Sequence, residues 1–416
     1  MQRTGSHGIP IVFTAHFRTE RLLATAAIAL SACSSGANTG APSQREAVAQ
    51  TALADQPSCT PLAKFEVVPT DGDSFLHRTG HAVVALNDAL YIARGLADDI
   101  DTQTNTFRDD LFQFVTDEND GANFAQLAET GAVPGPLGFP CMISNDDDGS
   151  LLLFGGASYV FELNPNFFQS FTPNNTLWHY QLDSGAWTQL APAGTLPSRR
   201  NGCNAVRFRN SMYMFGGLSR FLQPNSELWQ YDIAANAWQE AAPAGALPPP
   251  RFIASAAIDT DQGDGRIYVY NGLQITAQGF SQIGDFWVYD IATNEWRQIA
   301  DTPTPPRNKG VFSELPGPCG KRYLVYSTGN IDTSVHCTGF DEDTTAINEV
   351  WAFDLEAETW QKLETVGDAP RLNFAQGATL GNKQYLIGGW YDVPDPVRVC
   401  RQVWNETVYS VSLVQQ

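Results

Sequence analysis

Positive charge is scarce in this chain: 25 Lys and Arg stand against 45 Asp and Glu, a formal net charge of −20. A surface so acidic repels nucleic acid and anionic lipid head groups, and neither is expected as a partner. No two cysteines fall in a CxxC pair, which removes the common zinc spacing. Histidine is sparse too, with only His77, His81, His179 and His336 beyond residue 32. His77 and His81, four apart near a strand, stand about 13 Å from each other, too far to share a metal. The acidic stretches "NDDDG" (145–149), "DTDQGDG" (259–265) and "DED" (341–343) read as turns and a loop. The second of them has Gly263 where a calcium loop needs its third ligand. No metal site, cofactor or Ser-His-Asp arrangement is expected. The apolar run "LLATAAIALSA" (22–32) is eleven residues long. As a helix it rises about 16 Å, short of a bilayer core.

That short run is informative in another way. Arg18 and Arg21 precede it, the arrangement of a secretory signal over residues 1–32. It ends in "LSAC" (30–33), which resembles a bacterial lipobox. The resemblance implies cleavage before Cys33 and lipidation of its sulfur. Ser34 after the cysteine then favours the outer membrane, with a periplasmic or surface-facing orientation both open. Residues 33–58 are small, polar and weakly patterned, a flexible tether. Losing residues 1–32 removes three Arg and one Glu, leaving 22 basic and 44 acidic residues. The charge keeps such a protein soluble and suits a monomer.

The remaining chain carries a beat. Gly95, Gly156, Gly217, Gly272, Gly329 and Gly389 are spaced 61, 61, 55, 57 and 60 residues apart. Each ends a β-rich run such as "LLLFGG" or "MYMFGG". A second beat follows: "TLWHYQLDSGAW" (176–187), "ELWQYDIAANAW" (227–238), "DFWVYDIATNEW" (285–296) and "EVWAFDLEAETW" (349–360). Alternating aromatic residues, a short turn and a Trp-led run read as two strands. With two strands upstream, each unit is a four-stranded antiparallel sheet, and a period of this size points to stacked units. The 35 Gly and 25 Pro suit many short strands and turns.

These residues resemble Kelch repeats over about residues 65–414. The shared features are an arginine near the start of strand one, a glycine pair closing strand two, an aromatic residue in strand three and the Trp of strand four. Departures are Leu137 for the arginine, Phe124 for the Trp, and Asn271-Gly272 and Ser327-Thr328-Gly329 for the glycine pair. The resemblance implies an all-β fold, a six-bladed Kelch-type β-propeller over residues 59–416 with four antiparallel strands per blade. One spare strand, "AKFEVV" (63–68), precedes the first unit, and the last unit lacks a Trp strand. The spare strand is expected to complete the last blade, with Phe65 in the Trp position, closing the ring without an exposed edge.

In that topology the blade-to-blade links and strand-two-to-three loops share one face, the top. Arg78, Arg199, Arg251, Arg307 and Arg371 recur where strand one begins, with Arg94 and Arg200 nearby. Clustered guanidinium groups hold a carboxylate or phosphate, or else pair structurally with acids and carbonyls. The loop 157–175 carries Tyr159, Phe161, Phe167, Phe168 and Phe171, and Trp390, Tyr391 and Phe280 lie in equivalent loops. Such aromatics either dock a partner or pack onto the next blade. Six cysteines besides Cys33 suggest disulfides in an exported chain. The propeller topology pairs Cys141 with Cys203 and Cys337 with Cys400, leaving Cys59 and Cys319 near the bottom face. The expected function is a lipid-anchored envelope module, without catalytic residues, that presents its top face to a protein or a glycan. The alternative is a carbohydrate-active enzyme similar to the sialic acid mutarotases, acting in the central channel.

Overall fold

A computed structural model describes residues 59–416, apart from the segments 100–103, 159–170, 332–345 and 396–398 and the positions 74, 76, 261, 262, 278, 301, 304 and 305. Among the described residues the structure is strands and turns, with two 3-10 turns and no α-helix. The signal, the tether and Cys33 lie outside the described residues.

Among the described residues, six sheets of four or five strands follow one another along the chain. Sheet I is Ala82–Leu86, Ala89–Ala93, Leu111–Thr116 and Ala122–Gln126. Sheet II is Cys141–Asn145, Ser150–Phe154, Leu177–Gln181 and Ala186–Gln189; sheet III is Asn204–Phe208, Ser211–Phe215, Leu228–Asp232 and Ala237–Glu240. Sheet IV is Ser255–Asp259, Arg266–Tyr270, Phe286–Asp290 and Glu295–Ile299; sheet V is Val311–Pro316, Arg322–Ser327, Val350–Asp354 and Thr359–Leu363. Sheet VI joins Thr379–Leu380, Lys383–Leu386 and Val408–Gln415 to the N-terminal strand Pro61–Val68. That strand pairs antiparallel with the C-terminal one over eight residues, Phe65 opposite Val411.

Every sheet has two apolar faces, so each needs a neighbour on both sides. Six apolar clusters meet that need, one between each pair of successive sheets and one between sheets VI and I. The repeated Trp is the anchor of this packing. Trp238, Trp296 and Trp360 each set their ring 5.2 Å from an aromatic on strand two of the preceding sheet: Phe154, Phe215 and Tyr270.

The links between sheets add an element that strand-pattern reading passes over. Thr70–Gly72, Thr130–Gly131, Ala193–Gly194 and Thr365–Val366 run parallel along the outer strand of the sheet they lead into. Gly72, Gly131, Gly194 and Gly367 have φ between +77° and +100°. A Cβ there would strike the carbonyl oxygen of Phe124, Trp187, Trp238 and Phe65 respectively. Glycine is required for both reasons. Phe65 thus stands against its linker glycine as Trp187 and Trp238 stand against theirs.

Candidate functional site

The recurring arginines come first. Arg78, Arg251 and Arg307 are buried, at 0%, 0% and 2% exposure. Each guanidinium turns into its own sheet and meets an acid just before strand three. Arg78 pairs with Asp110 (3.0 Å from Nη2 to Oδ2), Arg251 with Asp285 (2.8 Å) and Arg307 with Glu349. The acid also accepts from the Trp two residues on: Trp287 donates to Asp285 at 2.7 Å and Trp351 to Glu349 at 3.0 Å. The recurring Glu/Asp-x-Trp of the sequence is therefore one half of a buried ion pair. Burial works to raise the Glu349 carboxyl, yet hydrogen bonds from Lys362, Trp351 and Arg307 outweigh it and hold it at about 2.

In sheet III this place is taken by Arg200, fully buried and paired with Glu227, while Arg199 is exposed. Arg371 is exposed too, and Leu372 fills the buried position beside it. Sheet II has Leu137 there, and Arg94 compensates from sheet I: it donates to Glu129 at 2.8 Å, and Glu129 accepts from the Trp187 indole. The backbone of this position ties sheets together. Gly95, Gly156, Gly217, Gly329 and Gly389 donate to the carbonyls of Leu137, Arg200, Arg251, Leu372 and Arg78 in the following sheet, at 2.8–3.0 Å. The five arginines named from sequence therefore do not converge as free charges: three are held inside sheets and two are exposed.

Just beyond each arginine position stands a residue in the left-handed region: Gly80, Phe139, Gly202, Ile253, Lys309 and Phe374, with φ between +49° and +60°. They are hydrogen-bonded in succession, Phe139 N to Gly80 O, Gly202 N to Phe139 O, Ile253 N to Gly202 O and Phe374 N to Lys309 O, at 2.6–3.0 Å. The Phe139 and Phe374 rings lie 6.0 Å apart, and the Lys309 ammonium sits 4.5 Å above the Phe374 ring. Beside them is a space of about 80 Å³ lined from all six sheets. Further down the first strands a cavity of about 480 Å³ opens out, again lined from all six. We call the glycine and arginine end of the sheets the upper end.

His81, next to this throat, is fully buried. Burial, and then the Arg78 charge, push its pKa well below the usual histidine value. The folded state keeps it neutral, whereas the unfolded chain takes up a proton below about pH 6.5. Stability is therefore present above that pH and falls as pH drops through it. We expect the urea midpoint of the protein to fall between pH 7.5 and 5.5, and His81→Gln to flatten that fall; an unchanged slope in the variant would contradict the assignment.

The upper hairpins hold the aromatic candidates. Phe167 and Phe168 lie outside the described residues. Phe171 is buried at 7% in a cluster with Leu218, Phe252 and Leu273 of sheets III and IV. Trp390 is buried at 7% and tilts over Phe374 at 4.9 Å. Tyr391 is half-buried and bonded to Tyr409 Oη at 2.8 Å, and burial raises its pKa. These three residues pack inward. Among the described residues, the large exposed aromatics are Phe221 (77%) and Phe280 (51%), on the hairpins of sheets III and IV. Trp404, half-buried, stacks on His77 at 5.9 Å. Phe221 went unnoticed in the sequence because "SRFLQ" follows the regular "FGG" without a pattern of its own.

Two disulfides are present among the described residues. Cys141–Cys203 joins the first strands of sheets II and III, with Cα atoms 5.8 Å apart. Cys59–Cys319 joins the start of the N-terminal strand to the lower turn of sheet V, with Cα atoms 5.7 Å apart; the topology had left these two without assigned partners. Cys337 and the Cys400 side chain lie outside the described residues. No metal-ligating cluster of three His, Cys, Asp or Glu occurs among the described residues.

Repeated sheets of this build, with an arginine, a glycine and a Trp recurring in most of them, define a β-propeller of Kelch type. The chain belongs to the Kelch-repeat family: the KLHDC2/KLHL20/DRC7 Kelch-repeats domain matches residues 80–315, more than half of it. The chain is 26% identical over 322 residues to the Leucine-zipper-like transcriptional regulator 1 homolog of Drosophila melanogaster. That match spans 76% of this chain and 30% of the fly protein, so the chain accounts for under a third of that relative. It is also 25% identical over 334 residues to Kelch domain-containing protein 10 of Rattus norvegicus, covering 77% of this chain and 73% of the rat protein. The human Kelch domain-containing protein 10 is likewise 25% identical over 334 residues, covering 77% and 68%.

Proposed function

We propose that this protein is an exported, lipid-anchored interaction module, a six-bladed propeller that holds a protein partner on its upper face. The ring reading is supported by the apolar cluster between sheets VI and I and by the Gly389 N–H bond to Arg78 O, which repeats the link between earlier sheets. Pairing of Pro61–Val68 with Val408–Gln415 supports closure by the N-terminal strand. Lipid attachment rests on Cys33 within "LSAC" and on the polar stretch behind it. The observation that carries the interaction reading is the pair Phe221 and Phe280, exposed on neighbouring upper hairpins. Large apolar side chains left in water on loop tips are docking anchors when a partner covers them. Membership of the Kelch-repeat family fits an interaction module.

The enzyme alternative needs guanidinium groups free to grip an acidic sugar, and Arg78, Arg251 and Arg307 are committed to acids inside their sheets. A photo-crosslinking residue at position 221 or 280, in cells that carry the intact chain, tests the proposal. The expected result is a discrete protein adduct from both positions, none from Asp183 on the lower face, and loss of the adduct when Cys33→Ser frees the chain from membranes. Equal labelling from position 183, glycan-only binding, or membrane retention of the Cys33 variant would each overturn part of it.

A further inference from the structure

The upper ends of sheets III and IV run against the charge of the whole chain, which is −20. Four segments build them: the links 190–203 and 241–254, and the hairpin segments 218–227 and 271–285. These segments hold Arg199, Arg200, Arg220 and Arg251 but only two acids, Glu227 and Asp285. Both acids are engaged inside the sheets, Glu227 by Arg200 and Asp285 by Arg251. Glu240, on the outer strand of sheet III, also acts on Arg200. Arg199 and Arg220 are exposed, and neither forms an ion pair among the described residues. Two positive charges are therefore left over at this end.

Apolar exposure gathers on the same segments. Every exposed Leu and Phe among the described residues lies on them: Leu196, Phe221, Leu247 and Phe280. The geometry joins the two hairpins into one surface. Arg200 stands opposite Ser219 across two short strands, and Arg199 and Arg220 adjoin that pair on the same side. The Arg220 guanidinium lies 5.2 Å from the centre of the Phe221 ring. Phe221 and Leu222 both take left-handed backbone angles, φ +64° and +56°, a region sparsely populated by such residues. Leu222 packs against the cluster of Leu218, Phe252 and Leu273, while Phe221 stands out in water. Phe280 reaches the same cluster from sheet IV, its ring 6.0 Å from that of Phe252.

We infer that this surface takes an acidic segment of a partner protein, its apolar side chains covering Phe221 and Phe280 and its carboxylates meeting Arg199 and Arg220. The inference rests on the interaction reading above and narrows the partner it allows. An unpaired guanidinium binds a carboxylate through two parallel hydrogen bonds, and apolar cover beside it excludes water. The acidic remainder of the molecule repels such a segment elsewhere and so directs it to this end. Benzoylphenylalanine, itself aromatic, at position 221 or 280 of the full chain in cells tests this through the sequence of the adduct. The partner peptide recovered by mass spectrometry should carry Asp or Glu beside the labelled position, in excess of Lys and Arg. Arg199→Glu with Arg220→Glu, both exposed and each confirmed to melt as the parent does, should cut the adduct yield by about tenfold or more. Arg297→Glu with Arg371→Glu makes the same change in net charge at other places and should leave the yield as it was. Absence of any adduct in the parent would defeat the interaction reading and this inference together. An adduct whose peptide is not acidic, one formed with lipid or with a second copy of this chain, or a yield that survives the reversal at 199 and 220 would overturn the inference alone.

Discussion

Asp285→Ala is expected to lower folding stability by about 3–5 kcal/mol, because it strands a buried guanidinium. Arg251 is fully buried, and besides Asp285 its guanidinium meets carbonyl oxygens: Nη1 donates to Asn271 O at 2.9 Å and Nε to Pro249 O at 3.0 Å. Removing the carboxylate also leaves the Trp287 indole N–H without its acceptor. The pair itself is not the source of that large figure. Two buried charges are costly to desolvate, and an apolar pair of similar volume replaces them at little loss. The double variant Arg251→Met, Asp285→Leu should therefore recover most of the stability. Glu358→Ala, which removes the exposed partner of Arg297, should change it by less than about 1 kcal/mol. Urea unfolding of the four proteins checks all of this. A loss for Asp285→Ala no larger than that for Glu358→Ala would show that the recurring arginines are not the internal pins described here.

Breaking the Cys59–Cys319 bond should have an effect of similar size, localised at one place. The bond spans 260 residues of sequence, and loop-closure entropy for such a span is worth about 5 kcal/mol. Both cysteines are exposed, whereas Cys141 is buried at 3%. Mild reductant should therefore open Cys59–Cys319 first. Cys59→Ser should lower the urea midpoint and raise amide exchange in residues 61–68 and 408–415, the paired strands behind the bond. Exchange that rises equally in sheets II and III would contradict the local role. Protection unchanged in 61–68 would mean that the bond adds nothing to the hold on that strand.

The sheets were legible in the sequence because their signal is repeated. One Trp strand proves little, but four strings with Tyr or Phe seven residues before Trp leave few alternatives. The fate of the arginines was legible only in half. Glu227, Asp285 and Glu349 stand two residues before a Trp in the quoted strings, yet nothing in a linear pattern says that they reach an arginine 27, 34 and 42 residues upstream respectively. Where two arginines adjoin, as at Arg199 and Arg200, the buried one is the one that stands two residues before the left-handed position, here Gly202, as Arg78, Arg251 and Arg307 stand before theirs. In the last link that position, two before Phe374, is Leu372, and Arg371 is left outside. Trp390 and Tyr391 looked like surface aromatics because they follow a glycine pair, but Phe374 and Tyr409 provide partners that only the assembled sheets bring near. The exposed Phe221 was hidden by the opposite circumstance, a loop with no periodicity at all.

Cross-linking across the seam between the two ends of the chain tests the ring most directly. Lys64 stands opposite Ser412 in the antiparallel register, and such opposed positions bring Cβ atoms to about 4.5–5.5 Å. With cysteines at both positions, peptide mapping under non-reducing conditions should recover a link between 64 and 412 within one chain. Free thiols at both sites, or a link found only between two chains, would contradict closure of the sixth sheet by the N-terminal strand.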